Sequence, residues 1–147
     1  PWGSTSAGLV TSNTFYSAVM PAITGAFKVL PGWQKLVSDF NSVLVTAGRG
    51  TRAADTATGS NGYTGNTDDY VAASRAPDGT LAVIYCAKAF SITIDQTKMA
   101  GGYAVTWIDP VNGATSAGTP GSTYNSGTAK GSNSAGDPDW VLVLHAP

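Results

Sequence analysis

At 147 residues the chain is long enough for one domain that buries about two-thirds of the surface its unfolded form would expose, so no stapling disulfide or metal is required. Charged residues are only 12% of the sequence and the net charge is −1, which leaves no basic field to bind nucleic acid or to dock on anionic lipid. The nine acids are all Asp, a bias toward turns rather than exposed helices, and a single cysteine rules out an internal disulfide.

Behind Ser12 and Asn13, either of which is a suitable N-cap, "TFYSAVMPAITGAFKVL" sets Phe15, Val19, Ile23, Ala26, Phe27 and Leu30 at three- and four-residue steps. That spacing predicts an amphipathic helix, kinked near Pro21 and stopped by Pro31 and Gly32. "PWGSTSAG" at the front has neither the basic start nor the apolar middle of a signal peptide, and no stretch approaches the roughly 18 apolar residues of a membrane span. A short turn in "WQKLVSDF" follows, and then "SVLVTAG", the first strand. The polar, glycine-rich run "RGTRAADTATGSNGYTGNTDD" is long for a loop in a compact domain, a length that goes with function or mobility.

The strongest signals come next. "DYVAASRAPDGTLAVIYCA" is two apolar runs around Ala76-Pro77-Asp78-Gly79, where proline presets the first turn dihedral and glycine supplies a positive φ: a hairpin. Cys86 falls in the second run and reads as a buried, inert thiol. "FSITID" is a short alternating strand. "GGYAVTWID" is another, turned by Asn112-Gly113 into its partner "ATSAG". A second polar run, Thr119 to Asp137, leads to a last strand, "DWVLVLHA", with Val141 and Val143 on one face and Trp140, Leu142 and Leu144 on the other. Together these predict an all-β domain, an antiparallel β-sandwich of about six to eight strands with one N-terminal amphipathic helix.

"YVAASRAPDGTLAVIY", "ITID", "YAVTWIDPVNGATSAG" and "DWVLVL", in that order, resemble the C-terminal β-sandwich that follows the barrel in apiosidase-like glycoside hydrolases, a module labelled as a collagen-binding domain of a collagenase. The likeness spans Asp69 to Leu144, and "WIDPVNGAT" is its most specific piece. The segment from Ala7 to Gly48 is similar to the last barrel helix of those enzymes and the strand entering the sandwich. The resemblance therefore divides the chain into residues 1–40, a helical segment like the end of a barrel, and residues 41–147, the sandwich module. The family's catalytic carboxylates lie on upstream barrel strands, and no residue here matches them.

Candidate chemical groups are few. Asp137 and Asp139 flank a proline just before an apolar strand, which favours turn-forming aspartates over the carboxylate pair of a glycosidase. His145 is the only histidine, with no Ser or Cys nucleophile placed beside it, so no triad is supported. Asn66, Asp68 and Asp69 offer three oxygens where calcium wants six to eight, and "GSNGYTGN" lacks the following helix that a phosphate cradle needs. No catalytic, cofactor or metal residue is assigned.

Aromatics carry more weight, because a ring stacks on the apolar face of a sugar while nearby polar groups meet its hydroxyls. Tyr85, Tyr103, Trp107 and Trp140 fall in strands, where burial is the default. Tyr63 and Tyr124 sit in polar runs and become the candidate ligand contacts, with Asp68 and Asp69 as polar partners. The expected role is a non-catalytic accessory module, extracellular or on a particle surface, that binds or positions carbohydrate or another extracellular polymer. The alternative is a structural subunit of a surface, filament or virion decoration that self-associates or takes a protein partner through Phe15, Val19, Ile23 and Phe27; a further one is a fragment of a complete glycoside hydrolase.

Overall fold

In a computed structural model, residues 30–51 and 69–147 are described. The predicted helix with Phe15, Val19, Ile23 and Phe27, and the loop residues Tyr63 and Asp68, lie outside them. Ten strands are present among the described residues: β1 Val37–Ser38, β2 Val45–Ala47, β3 Gly50–Thr51, β4 Asp69–Arg75, β5 Leu81–Cys86, β6 Ser91–Ile94, β7 Ala104–Ile108, β8 Thr115–Gly118, β9 Thr123–Asn125 and β10 Trp140–His145. The excess over six to eight consists of two-residue pieces, β1 and β3, which share one edge of β4. One short helix, α1, covers Ser126–Lys130.

The strands make two antiparallel sheets. The larger runs β1-β4-β5-β10-β7-β8 with β3 on the other end of β4, and the smaller runs β2-β6-β9. The last strand is thus central: Leu142 lies between Ile84 of β5 and Trp107 of β7. β1 pairs with β4, so the chain has joined the large sheet before residue 41.

The β4–β5 hairpin forms as its turn residues dictate. The Gly79 amide donates to the Ala76 carbonyl at 3.0 Å, and Gly79 adopts φ 75°, where a Cβ would stand 2.7 Å from the Lys98 carbonyl oxygen. The β7–β8 turn likewise closes at Asn112-Gly113, with the Asn112 side chain accepting from the Ala114 amide at 2.8 Å.

The side-chain alternation of β10 sorts the core. Trp140, Leu142 and Leu144 join one cluster with Val71, Ile84, Cys86, Val105 and Trp107 of the large sheet and with Val45, Ile92, Ile94 and Tyr124 of the small one. That cluster takes residues from both sheets and is where burial of apolar surface stabilises their pairing. Val143 belongs to a second cluster with Leu81, Val83 and Ile108 on the opposite face of the large sheet, against which Leu30, Leu36 and Val141 pack. The division of faces expected from the sequence is the one found, and both faces of β10 are covered.

The polar run before β10 is more ordered than its composition predicts. Within it lie β9 and α1, the latter capped by the Asn125 side chain accepting from the Thr128 amide at 2.8 Å. Three side chains anchor the run by burial: Tyr124, Ser126 and Asn133.

Candidate functional site: an aromatic cleft on the large sheet

The outer face of the large sheet changes character along its width. On β5, Leu81 and Val83 are buried there, yet the next residue on that face, Tyr85, is 39% exposed. On β4 the same alternation turns Val71 and Ala73 inward and leaves Tyr70, Ala72 and Ser74 on the outer side. Tyr70, Ala72, Ser74 and Tyr85, with Phe40 and Arg49, line a cleft of about 410 Å³. Phe40 is 70% exposed, an unusual state for a large apolar ring with a core beside it.

A polar knot positions Phe40. The Asp39 carboxylate, buried, accepts from the amides of Val43 and Leu44 at 3.0 Å and of Val45 at 2.9 Å, winding the chain between β1 and β2 around itself. Arg49 then closes the knot. Its five N–H groups reach the Asp39 carboxylate and carbonyl, the carbonyls of Val45 and Val71, and the Tyr70 hydroxyl. Its guanidinium also lies 5.9 Å from the centre of the Tyr70 ring. One arginine therefore fixes both the turn that presents Phe40 and the orientation of Tyr70. Arg75 adds a second cation 3.7 Å from the same carboxylate.

Tyr85 is held from the other side. Its hydroxyl donates to Asp139 at 2.9 Å, and the second oxygen of Asp139 accepts from the Asn133 amide at 2.5 Å. The Asn133 side-chain oxygen in turn accepts from the backbone of Ala135 at 2.9 Å and of Asp137 at 3.1 Å. Burial, then the Asp139 carboxylate, hold the Tyr85 phenol well above its ordinary range, so it stays a protonated donor. Both aspartates of "DPDW" are thus engaged in a turn that aims Tyr85 and launches β10. His145 lies at the far end of that strand, roughly 17 Å along the chain axis from Trp140 at the usual rise per residue.

The other sequence candidates fall elsewhere. Tyr124 is not a loop residue: it stands on β9 in the core, 6% exposed, its hydroxyl accepting from the Gly121 amide at 3.0 Å. Burial first, and a hydrogen bond with Tyr103 second, raise its phenol, and the buried ring presents no face to a ligand. Asp69 opens β4, its backbone paired with Thr51. Trp107 and Trp140 are buried as expected, whereas Tyr85 departs from the burial expected of a strand aromatic. Phe40, Arg49 and Tyr70 carry no sequence flag of their own. The only signal for Tyr70 is the polar-apolar alternation of "YVAASR", which leaves one face of β4 half-open. Among the described residues no group of three His, Cys, Asp or Glu is placed to hold a metal ion.

The architecture and cleft define a two-sheet, mostly β module with exposed aromatic rings and, among the described residues, no carboxylate, imidazole or thiol lining the opening. The chain belongs to the family described as "Putative collagen-binding domain of a collagenase", whose model matches residues 59–145, more than half of its length. The matched span holds the hairpin, "WIDPVNGAT" and the closing strand. No curated protein matches the sequence.

Proposed function

We propose that this domain is a non-catalytic accessory module, a β-sandwich that holds an extracellular polymer against its aromatic cleft. The observation that carries the reading is the pair of solvent-facing rings, Phe40 and Tyr85, which line one opening together with Tyr70. Rings held this way present flat apolar faces at low entropic cost, the pattern by which binding surfaces grip extended ligands. Among the described residues no carboxylate or imidazole lines the cleft, a lining suited to holding rather than to cleaving. The family description names collagen, which supports an extracellular polymer as the ligand class. The likeness to modules behind apiosidase-like hydrolase barrels supports an accessory role, in which the module keeps a partner enzyme near its substrate.

The expectation for Tyr63, Asp68 and Asp69 stands within this proposal. The stretch that carries them leaves β3 and re-enters β4 at the paired residues Thr51 and Asp69, next to Tyr70.

Sedimentation with insoluble cellulose, chitin, xylan and fibrillar collagen tests the proposal. At least one polymer should carry the protein down, and Phe40→Ala and Tyr85→Ala should each weaken that binding about tenfold, or roughly 1.4 kcal/mol. Retention of full binding by both variants, with their fold intact by circular dichroism, would refute the cleft as the contact.

A further inference from the structure

Building on the polymer-binding reading, we infer that the cleft selects an uncharged polysaccharide. Among the described residues, the sole charged side chain lining it is Arg49. An arginine in a ligand cleft ordinarily marks a site for carboxylate or sulfate, because its planar fork pairs with such groups through two parallel bonds. Here the fork is already filled. All five N–H donors of Arg49 are engaged, its charge faces the buried Asp39 carboxylate, and its side chain is only 11% exposed. An anionic group on the ligand would find no free N–H there and would compete with a carboxylate that also holds three backbone amides.

The other polar side chains among the described lining residues carry hydroxyls. Ser38 and Ser74 are register partners across the β1–β4 pair and line the opening, and Tyr70 and Tyr85 carry the phenols. The Tyr70 hydroxyl accepts from Arg49 and keeps its own proton to donate, while Tyr85, whose proton goes to Asp139, keeps its lone pairs to accept; with the two serines this is a mixed set that matches the hydroxyls of a neutral sugar better than it matches fixed anions. On the side of Tyr85 stands Asp139, whose carboxylate accepts from that phenol and adds a negative charge next to the opening. That charge repels an acidic polymer and leaves a neutral one unaffected. Rings for the apolar sugar faces, hydroxyls for the polar edges and, among the described lining residues, a single cation already paired with Asp39 together specify the class.

The test compares polymers that share a backbone and differ in charge: hydroxyethylcellulose against carboxymethylcellulose, and dextran against dextran sulfate, by affinity electrophoresis of the full chain. In any pair that binds, the neutral member should bind at least tenfold more tightly. Its affinity should change less than twofold between 50 and 500 mM NaCl and should fall about tenfold in Tyr85→Ala. Tighter binding of the charged member, weakening with salt and still lost in Tyr85→Ala, would overturn the inference while leaving the cleft as the contact. Binding of fibrillar collagen alone through Phe40 and Tyr85 would do the same. Polymer binding indifferent to both substitutions would remove the inference and the proposed function together.

Discussion

Asp109 shows how one short side chain spans two parts of the chain. It is 4% exposed, and its oxygens accept from the Val111 amide within its own turn and from the Ser134 amide in the run before β10, both at 2.8 Å. Burial pushes its carboxyl upward, but the backbone bonds from Val111 and Ser134 outweigh it, and the net shift is downward. A carboxyl whose folded pKa is depressed contributes stability that is present above its unfolded pKa, near 3.9, and is lost as pH falls through the lower folded value. Asp109→Asn should therefore lower the urea-unfolding free energy at pH 7 by about 1–3 kcal/mol, the range for leaving charge-assisted bonds to buried amides incomplete. Below the folded pKa wild type and variant should converge. A difference that persists unchanged into strong acid would mean that the carboxylate charge contributes nothing. The sequence marks Asp109 only as part of the Asp-Pro turn, because its second partner lies 25 residues away in a stretch without hydrophobic pattern.

At the scale of elements, β10 is the piece on which most of the fold depends. It bonds to β5 on one side and β7 on the other and feeds both hydrophobic clusters. Trp140 begins it, 7% exposed, with its indole N–H donating to the Gly131 carbonyl at 3.0 Å and the Lys130 ammonium 4.9 Å from its ring. Trp140→Ala should cost about 3–5 kcal/mol in chemical denaturation, through the cavity and through release of the α1 terminus that the indole holds. A loss under 1 kcal/mol would show that the strand start is not packed as described. This strand was legible in the sequence because apolar residues on both faces leave a continuous run, and the two hairpins were legible because Pro-Asp-Gly and Asn-Gly fix their turns. β9 and α1 were not, since Tyr124, Ser126 and Asn133 are isolated buried side chains among Gly, Ser and Thr. The cleft was hidden for a different reason. It assembles Phe40, Arg49, Tyr70 and Tyr85 from three separate parts of the chain, and Tyr85 is the one exposed residue in a strand otherwise buried on both faces.

For the molecule as a whole, the shared core means that the two sheets should part only in a global event, and Cys86 can report it. Its thiol, 1% exposed, sits in the cluster that takes side chains from both sheets. Burial pushes it up to about 12, against a hydrogen bond with Ser126 that acts in the other direction. At pH 8 a thiol of that pKa is ionised in about one molecule in ten thousand, against roughly a quarter for an unfolded cysteine near 8.5. Thiolate supply alone therefore slows attack on a disulfide reagent by about a thousandfold, and steric cover slows it further. The folded pKa is raised, so the buried thiol contributes stability below about 8.5 that is lost as pH rises from there toward 12. Two outcomes follow for Ellman's reagent at pH 8. Native protein should react at least a thousandfold more slowly than urea-unfolded protein, and the rate should rise with sub-denaturing urea along the slope of global unfolding. Fast, urea-independent labelling would place Cys86 on a locally opening edge, and the two sheets would then not share one cooperative core.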